Sequence, residues 1–505
     1  MGRKSREKRE RKARDAEFRR THVDPPKVRY RVRPRPSSGT TGSERLLVRL
    51  AHDTFLSLWS YPNVVRDERQ ANGGLIGKEI ADLLVVFEND VILFSDKDCA
   101  FPSTGNPDVD WIRWYRKAIE SGAKQLWGAE RQIRANPGRI FIDPRCETRL
   151  PVPLPDASRI RIHRVVVAHG ASARCRDALR GSGSLSIVPG ITGAMHHRSR
   201  LNGGVPFAVG LVDPARPFVH VLDDMSLELL LENLDTVSDF VGYLRKKEAF
   251  VLSGQLGSAA GEEALLGLYV AKVNANDEHD FVLPDSVAVP VALDERRWHH
   301  FLTSSERRRK IEADRVSYYW DALIETFAGH YLAGTSHHLS EDDSEHYEFE
   351  RVLRFFARES RLRRRLLAQT VFDMQRITHP TIRRLRVVPP MRTGDPYWLL
   401  LLFPNQDNLL VGRKIDYEQY RKVRAEYLNS CLRVVKLMYP DAHDIVGFCT
   451  ESGRTSYGSE DAAYLDAREW SSAADDDART LQKKLQILVS AREVRIVGAE
   501  YPQLD

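Results

Sequence analysis

Hydrophobic and polar positions divide the chain into readable segments. In "SERLLVRLAHDTFLSLW", Leu46, Leu47, Leu50, Phe55 and Leu58 recur at helical spacing, and Ser43 stands where an N-cap belongs. A helix over about 43–59 follows. "SYPN" then breaks it, and a polar loop containing "NGG" comes next. Two apolar runs, Ile80 to Phe87 and Val91 to Phe94, flank the turn signal "ENDV" and predict a hairpin. The segment "DWIRWYRKAIESGAKQLWGAERQIRAN" has the pattern of a long amphipathic helix, ended by Pro137 and Gly138. "RIFID", "RIRIHRVVVAH" and "SLSIV" read as further strands, and the stretch from Pro217 reads as a strand followed by helices.

The chain has 505 residues, more than one hydrophobic core normally organises, so several domains are expected. Between residues 290 and 305 the sequence becomes strongly charged, which suggests a boundary there. Beyond it, helical patterning dominates at 319–335, 346–376, 415–437 and 476–491, with strands at "RLRVVPP" and "YWLLLLF". The expected layout is a tail over 1–40, a mixed domain over 41–295 and a mainly helical α+β domain over 296–505. The fold class is α/β (α+β), a mixed sheet flanked by helices.

Charge changes the picture at one end. Residues 1–36 carry 15 Lys and Arg against 5 Asp and Glu, so they hold +10 of a total of +6, and the rest of the chain is near −4. A tail of this kind attaches electrostatically to nucleic acid, or it serves only solubility. Five scattered cysteines, with no pair at C-x-x-C spacing, point away from a disulfide framework and a cysteine zinc site. No apolar run of membrane-spanning length occurs, so no membrane association is expected and a cytoplasmic location is the default. Phosphate-loop, dinucleotide-binding and serine-hydrolase signatures are absent, which disfavours nucleotide hydrolysis.

The candidate chemistry lies in "GKEIADLLVVFENDVILFSDKD", residues 77–98. Cleaving a phosphodiester with a hard divalent cation needs carboxylates to hold the ion and a cationic group to steady the nucleophile and the developing charge. Asp82 lies in the first apolar run and Lys97 at the end of the second, so a hairpin brings them to one end of a sheet. Strand alternation groups Ser95 with Lys97 and places Asp96 on the other face. Asp96 turns inward only through a β-bulge or a rotation at the strand end. Glu79 supplies a further carboxylate because the chain is only entering the strand there.

This arrangement resembles the PD-(D/E)XK nuclease superfamily, over about residues 43–170. The resemblance implies a restriction-endonuclease-like core ordered α-β-β-β-α-β that binds Mg²⁺ or Mn²⁺. Glu44 matches the family's helix acid, Asp82 its strand Asp and Lys97 its lysine, while Gln125 fits the helix glutamine of exonuclease-like branches. The acid two residues before the lysine is replaced by Ser95, leaving Asp96, Glu79 and Glu44 to complete the ligand set with Asp82. The function implied is a metal-dependent endo- or exonuclease acting on DNA or RNA, with an activating protein partner or self-assembly. The attached C-terminal region fits, by analogy, an effector of prokaryotic defence against phage. The alternative is a catalytically silent nucleic-acid-binding or scaffold protein on the same fold.

Other features read more simply. Adjacent histidines at His196 and His197 and at His299 and His300 diverge in direction and suit local packing. The acidic and histidine-rich stretch at 337–346 reads as a loop capping the next helix. Arg351, Arg354, Arg358, Arg361 and Arg363 to Arg365 form either a phosphate-contacting face or a helix face tied by ion pairs. Trp111, Trp114, Tyr115 and Trp127 read as core.

Overall fold

A computed structural model describes residues 41–69, 75–286, 289–334, 344–406, 416–452, 460–493 and 498–502. The basic tail lies outside them, as do residues 337–343 of the acidic and histidine-rich stretch. The chain forms two compact units, and both are mixed α/β. The larger comprises residues 34–314, 323–364 and 497–505; the smaller includes 315–322 and 365–496. Segments 296–314 and 323–364, expected in a C-terminal domain, thus belong to the larger unit.

In the larger unit the first helix, α1 (Gly42–Phe55), is capped by Thr41 and not by Ser43. Thr41 Oγ1 accepts the Glu44 amide N–H, and the Glu44 carboxylate accepts the Thr41 amide in return, closing a capping box. The helix stops at Phe55, short of the expected end. The "SYPN" segment, expected to open a loop, instead begins strand β1 (Ser60–Arg69). Tyr61, Val64 and Val65 supply its buried side chains. The opposite edge of β1 pairs only at Val65 and Arg66, which leaves Pro62 on a stretch where a missing N–H costs nothing.

Strands β2 (Leu75–Phe87) and β3 (Asp90–Asp98) form the expected hairpin, longer at both ends. The chain then enters α2 (Pro107–Tyr115), passes a π-helical turn at Arg116–Glu120, and continues as α3 (Ser121–Ala135). After the two-residue β4 (Ile140–Phe141), β5 (Arg161–His169) lies parallel to β3. Next come α4 (Ser172–Leu179), β6 (Ser186–Thr192), β7 (Ala208–Leu211) and β8 (His220–Asp223). They are followed by α5 (Asp224–Asn233), α6 (Val237–Leu252), β9 (Leu256–Ala259), α7 (Glu262–Ala271) and β10 (Val291–Leu293).

The main sheet has the order β4-β1-β2-β3-β5-β8, antiparallel through β3 and parallel from β3 to β8. A second sheet runs β10-β9-β6-β7. One face of the main sheet packs on α1 and α6, where Phe94 meets Phe55 and Phe240 at ring-centroid distances of 6.1 and 6.3 Å. The other face packs on α3, whose Gly122 approaches Val166 and the stem of Lys97. Trp111, Trp114, Tyr115 and Trp127 are buried, as expected for core residues.

The smaller unit is a four-stranded sheet, β11 (Arg384–Val388), β12 (Tyr397–Phe403), β13 (Asp444–Glu451) and β14 (Asp461–Asp466), in that spatial order. The helix Tyr417–Met438 crosses over between the parallel pair β12 and β13. Its Tyr420, Leu428, Cys431 and Leu432 bury against Leu399, Leu401 and Phe403. Strands β13 and β14 had not been expected from the sequence. None of the described helices is long and apolar enough to cross a membrane.

Candidate functional site

The site forms where the middle of β2 meets the end of β3. In an antiparallel pair, directly opposed residues share a face. Leu83 opposes Phe94 and Leu84 opposes Leu93, so Asp82 falls on the face of Ser95 and Lys97. That face is covered by α3, which contributes Gln125. Its Oε1 accepts hydrogen bonds from Lys97 Nζ at 2.7 Å and from Ser95 Oγ at 3.0 Å. A lysine can only donate, so the amide must present its oxygen here.

Asp82 is buried, and its Oδ2 accepts the Asp96 main-chain N–H at 2.6 Å. Lys97 Nζ stands 3.9 Å from the same oxygen. Burial, reinforced by a hydrogen bond with the Glu79 carboxyl group, pushes the Asp82 carboxyl up to about 7 even though Lys97 opposes the shift. Two carboxyl groups therefore meet at this point.

Residues 79 and 82 would point to opposite faces of a regular strand. They converge because β2 carries a bulge: Val64 opposes Ala81, while the next residue of β1, Val65, opposes Glu79. Ile80 is the extra residue, and its insertion rotates Glu79 onto the Asp82 face. Glu79 is solvent-exposed, so the pair has one buried and one open member. The bulge that had been considered for β3 is thus found in β2.

Asp96 is not brought into this site. Strand β3 pairs with β5 in unbroken register from Asp90 to Asp98, so nothing rotates its side chain. The Asp96 carboxylate lies on the opposite face and meets His169 Nε2 at 2.6 Å. His169 Nδ1 lies 2.9 Å from Asp224 Oδ1. Burial disfavours charge on this imidazole, but the hydrogen bonds to Asp224 and Asp96 outweigh it and raise His169 to about 10. Glu44, the expected helix acid, is engaged in the capping box of α1. The structure therefore brings together Glu79, Asp82, Lys97 and Gln125, and adds Ser95.

The Arg-rich helices are tied inward. Arg354 bonds Glu350, Arg361 bonds Asp235, and the buried Arg364 donates to the carbonyls of Glu359 and Ala357. His196 stacks on Tyr115 at 4.5 Å, and His299 lies within reach of Glu295. The His169 contacts were missed in the sequence, where only the alternation of "RVVVAH" hints that His169 shares a face with Val165 and Val167.

Comparison of the chain with protein-family models, with curated proteins and with solved structures finds no match. A functional reading therefore rests on the chain's own residues.

Proposed function

We propose that this chain is a metal-dependent nuclease with a restriction-endonuclease-like core, cleaving phosphodiester bonds of nucleic acid at the β2–β3 site. The observation that carries the reading is the convergence of Glu79, Asp82 and Lys97 on one sheet face, with Gln125 fixing the lysine. The order α1-β1-β2-β3-α3-β5, with three antiparallel strands and then a parallel one, supports the same reading.

The donor set suits a hard divalent cation. Two carboxyl groups brought to one face by the bulge in β2 offer oxygen ligands of the type Mg²⁺ or Mn²⁺ takes, with water and phosphate filling the remaining positions. Such an ion, when bound, supplies Lewis-acid activation of the phosphate and of a water. The Asp96 N–H fixes the Asp82 carboxylate through Oδ2. Lys97 has three donors; one is held by Gln125 and another faces Asp82, so a third is directed to a water or a phosphate oxygen. Ser95 anchors Gln125 and so positions the lysine indirectly.

The test is incubation of the full chain with single- and double-stranded DNA and RNA plus Mg²⁺ or Mn²⁺, beside Asp82→Ala and Lys97→Ala. Metal-dependent cleavage lost in both variants supports the proposal. Cleavage unaffected by them refutes this site. Binding without cleavage under every condition favours a silent nucleic-acid-binding protein, a reading to which the serine at the family's second acid position lends weight.

A further inference from the structure

The α6 face of the main sheet holds a second group of metal-ligating side chains, at the opposite end of β3 from Asp96. His163 in β5, His220 at the start of β8 and Glu248 in α6 each direct one donor atom into a common space, and these atoms all lie within 4.8 Å of one another. Register explains the meeting. Val165 opposes His220, so His163, two residues earlier in β5, shares the face of His220. Phe94 opposes Val165 and contacts Phe240 of α6, so this is the face toward α6, which carries Glu248.

The imidazoles are in an unusual condition. The His220 side chain has no solvent exposure, and neither its Nδ1 nor its Nε2 has a hydrogen-bond partner. His163 Nδ1 is likewise buried and unpartnered. Buried polar nitrogens normally find partners, and a metal ion beside these rings would take one lone pair from each of them. Nearby cations do not serve, because Arg164 is bound to Glu130 and Lys247 to Glu262, each at 2.6 Å.

We infer that His163, His220 and Glu248 form a binding site for a zinc-type divalent transition ion, separate from the carboxylate site on the other face. Two imidazoles and one carboxylate are a ligand set suited to such an ion, with a fourth position left for water. The second nitrogen of His163 strengthens the assignment. Its Nε2 bonds Asp90 Oδ1 at 2.8 Å, and Asp90 is held in turn by Arg161. With its proton on Nε2, the ring leaves the buried Nδ1 lone pair free for an ion, the tautomer a carboxylate imposes on a ligating histidine. The separation of His220 Nε2 and Glu248 Oε2 is 4.0 Å, whereas ligands of a tetrahedral zinc sit roughly 3.3 Å apart. Closure therefore needs only a small swing of the partly exposed Glu248 side chain, which also opens the entry path. The ion would tie α6 to two adjacent strands.

The experiment is metal analysis of the full chain after incubation with Zn²⁺ and exhaustive exchange into chelated buffer, with Co²⁺ substitution followed by its visible absorption. The wild type should retain one equivalent and show the absorption of tetrahedral Co²⁺. Glu248→Ala and His220→Leu should lose both, while Asp82→Ala should keep both, which separates this site from the nuclease proposal. Asp90→Asn should weaken Zn²⁺ binding by roughly 10- to 100-fold, the usual effect of removing an orienting carboxylate. Should His220→Leu fail to fold, Glu248→Ala decides alone, because its side chain is partly exposed. A wild type that retains neither metal, or a Glu248→Ala variant that retains as much as wild type, would overturn the inference.

Discussion

Replacing Gln125 by alanine tests whether its side chain is the pivot of the site. The substitution removes the one oxygen that accepts both Lys97 Nζ and Ser95 Oγ. The two donors fare differently. Lys97 keeps 22% exposure and can be satisfied by water, whereas Ser95 is fully buried. Most of the cost therefore falls on the stranded hydroxyl, about 1–3 kcal/mol for an unsatisfied buried donor. Ser95→Ala removes the hydroxyl without stranding one and should cost only about 0.5–1.5 kcal/mol. In the double variant the penalty disappears with the hydroxyl, so the two effects should fall short of additivity by about 1 kcal/mol. Thermal unfolding of the four proteins in one buffer measures the cycle. Strict additivity would mean that Gln125 and Ser95 do not share a bond, and the account of how Lys97 is held would fail with it.

Three further outcomes follow from the geometry. Gly122→Ala would place a methyl 3.0 Å from Val166 Cγ2 and 3.5 Å from Lys97 Cγ; it should cost about 1–3 kcal/mol and lower any cleavage rate, and unchanged melting and rate would contradict the close packing of α3. Phe94→Ala removes a ring that packs on both Phe55 and Phe240 and should destabilise the larger unit by about 3–5 kcal/mol, measured by chemical denaturation. His169 has a folded pKa of about 10 against 6.5 ordinarily, so its contribution is complete below about 6.5 and is lost as pH rises toward 10. That difference sets an upper limit of roughly 5 kcal/mol, and His169→Gln should flatten the fall of melting temperature over the same pH window; parallel profiles would refute it.

The hairpin, the long helix and the parallel strand were legible because each keeps a clear period over enough residues. Strand β1 was not. Its ten residues are mostly polar and include Pro62, and only pairing with β2 makes it a strand. The site was legible in part for the same reason. The hairpin brought Asp82 to Lys97, and alternation grouped Ser95 with Lys97 and set Asp96 apart, while the bulge at Ile80 depends on the register between two strands and leaves no local mark. The extent of the larger unit was hidden for a different reason. Its later segments are joined to the early ones by bonds between residues far apart in the chain, such as Ser57 to Glu325 and Arg361 to Asp235. The His163, His220 and Glu248 group spans 86 positions in the same way, with no spacing motif to reveal it.

The central claim is that the bulge in β2 brings Glu79 into the site while the regular register of β3 keeps Asp96 out. Cleavage of nucleic acid in Mg²⁺ or Mn²⁺, compared between Glu79→Gln and Asp96→Asn, tests it most directly. The account predicts that Glu79→Gln loses most of the metal-dependent activity and that Asp96→Asn, which leaves the main-chain N–H on Asp82 intact, retains it. Activity that survives Glu79→Gln but is abolished by Asp96→Asn would contradict it, as would a wild-type protein that cleaves nothing.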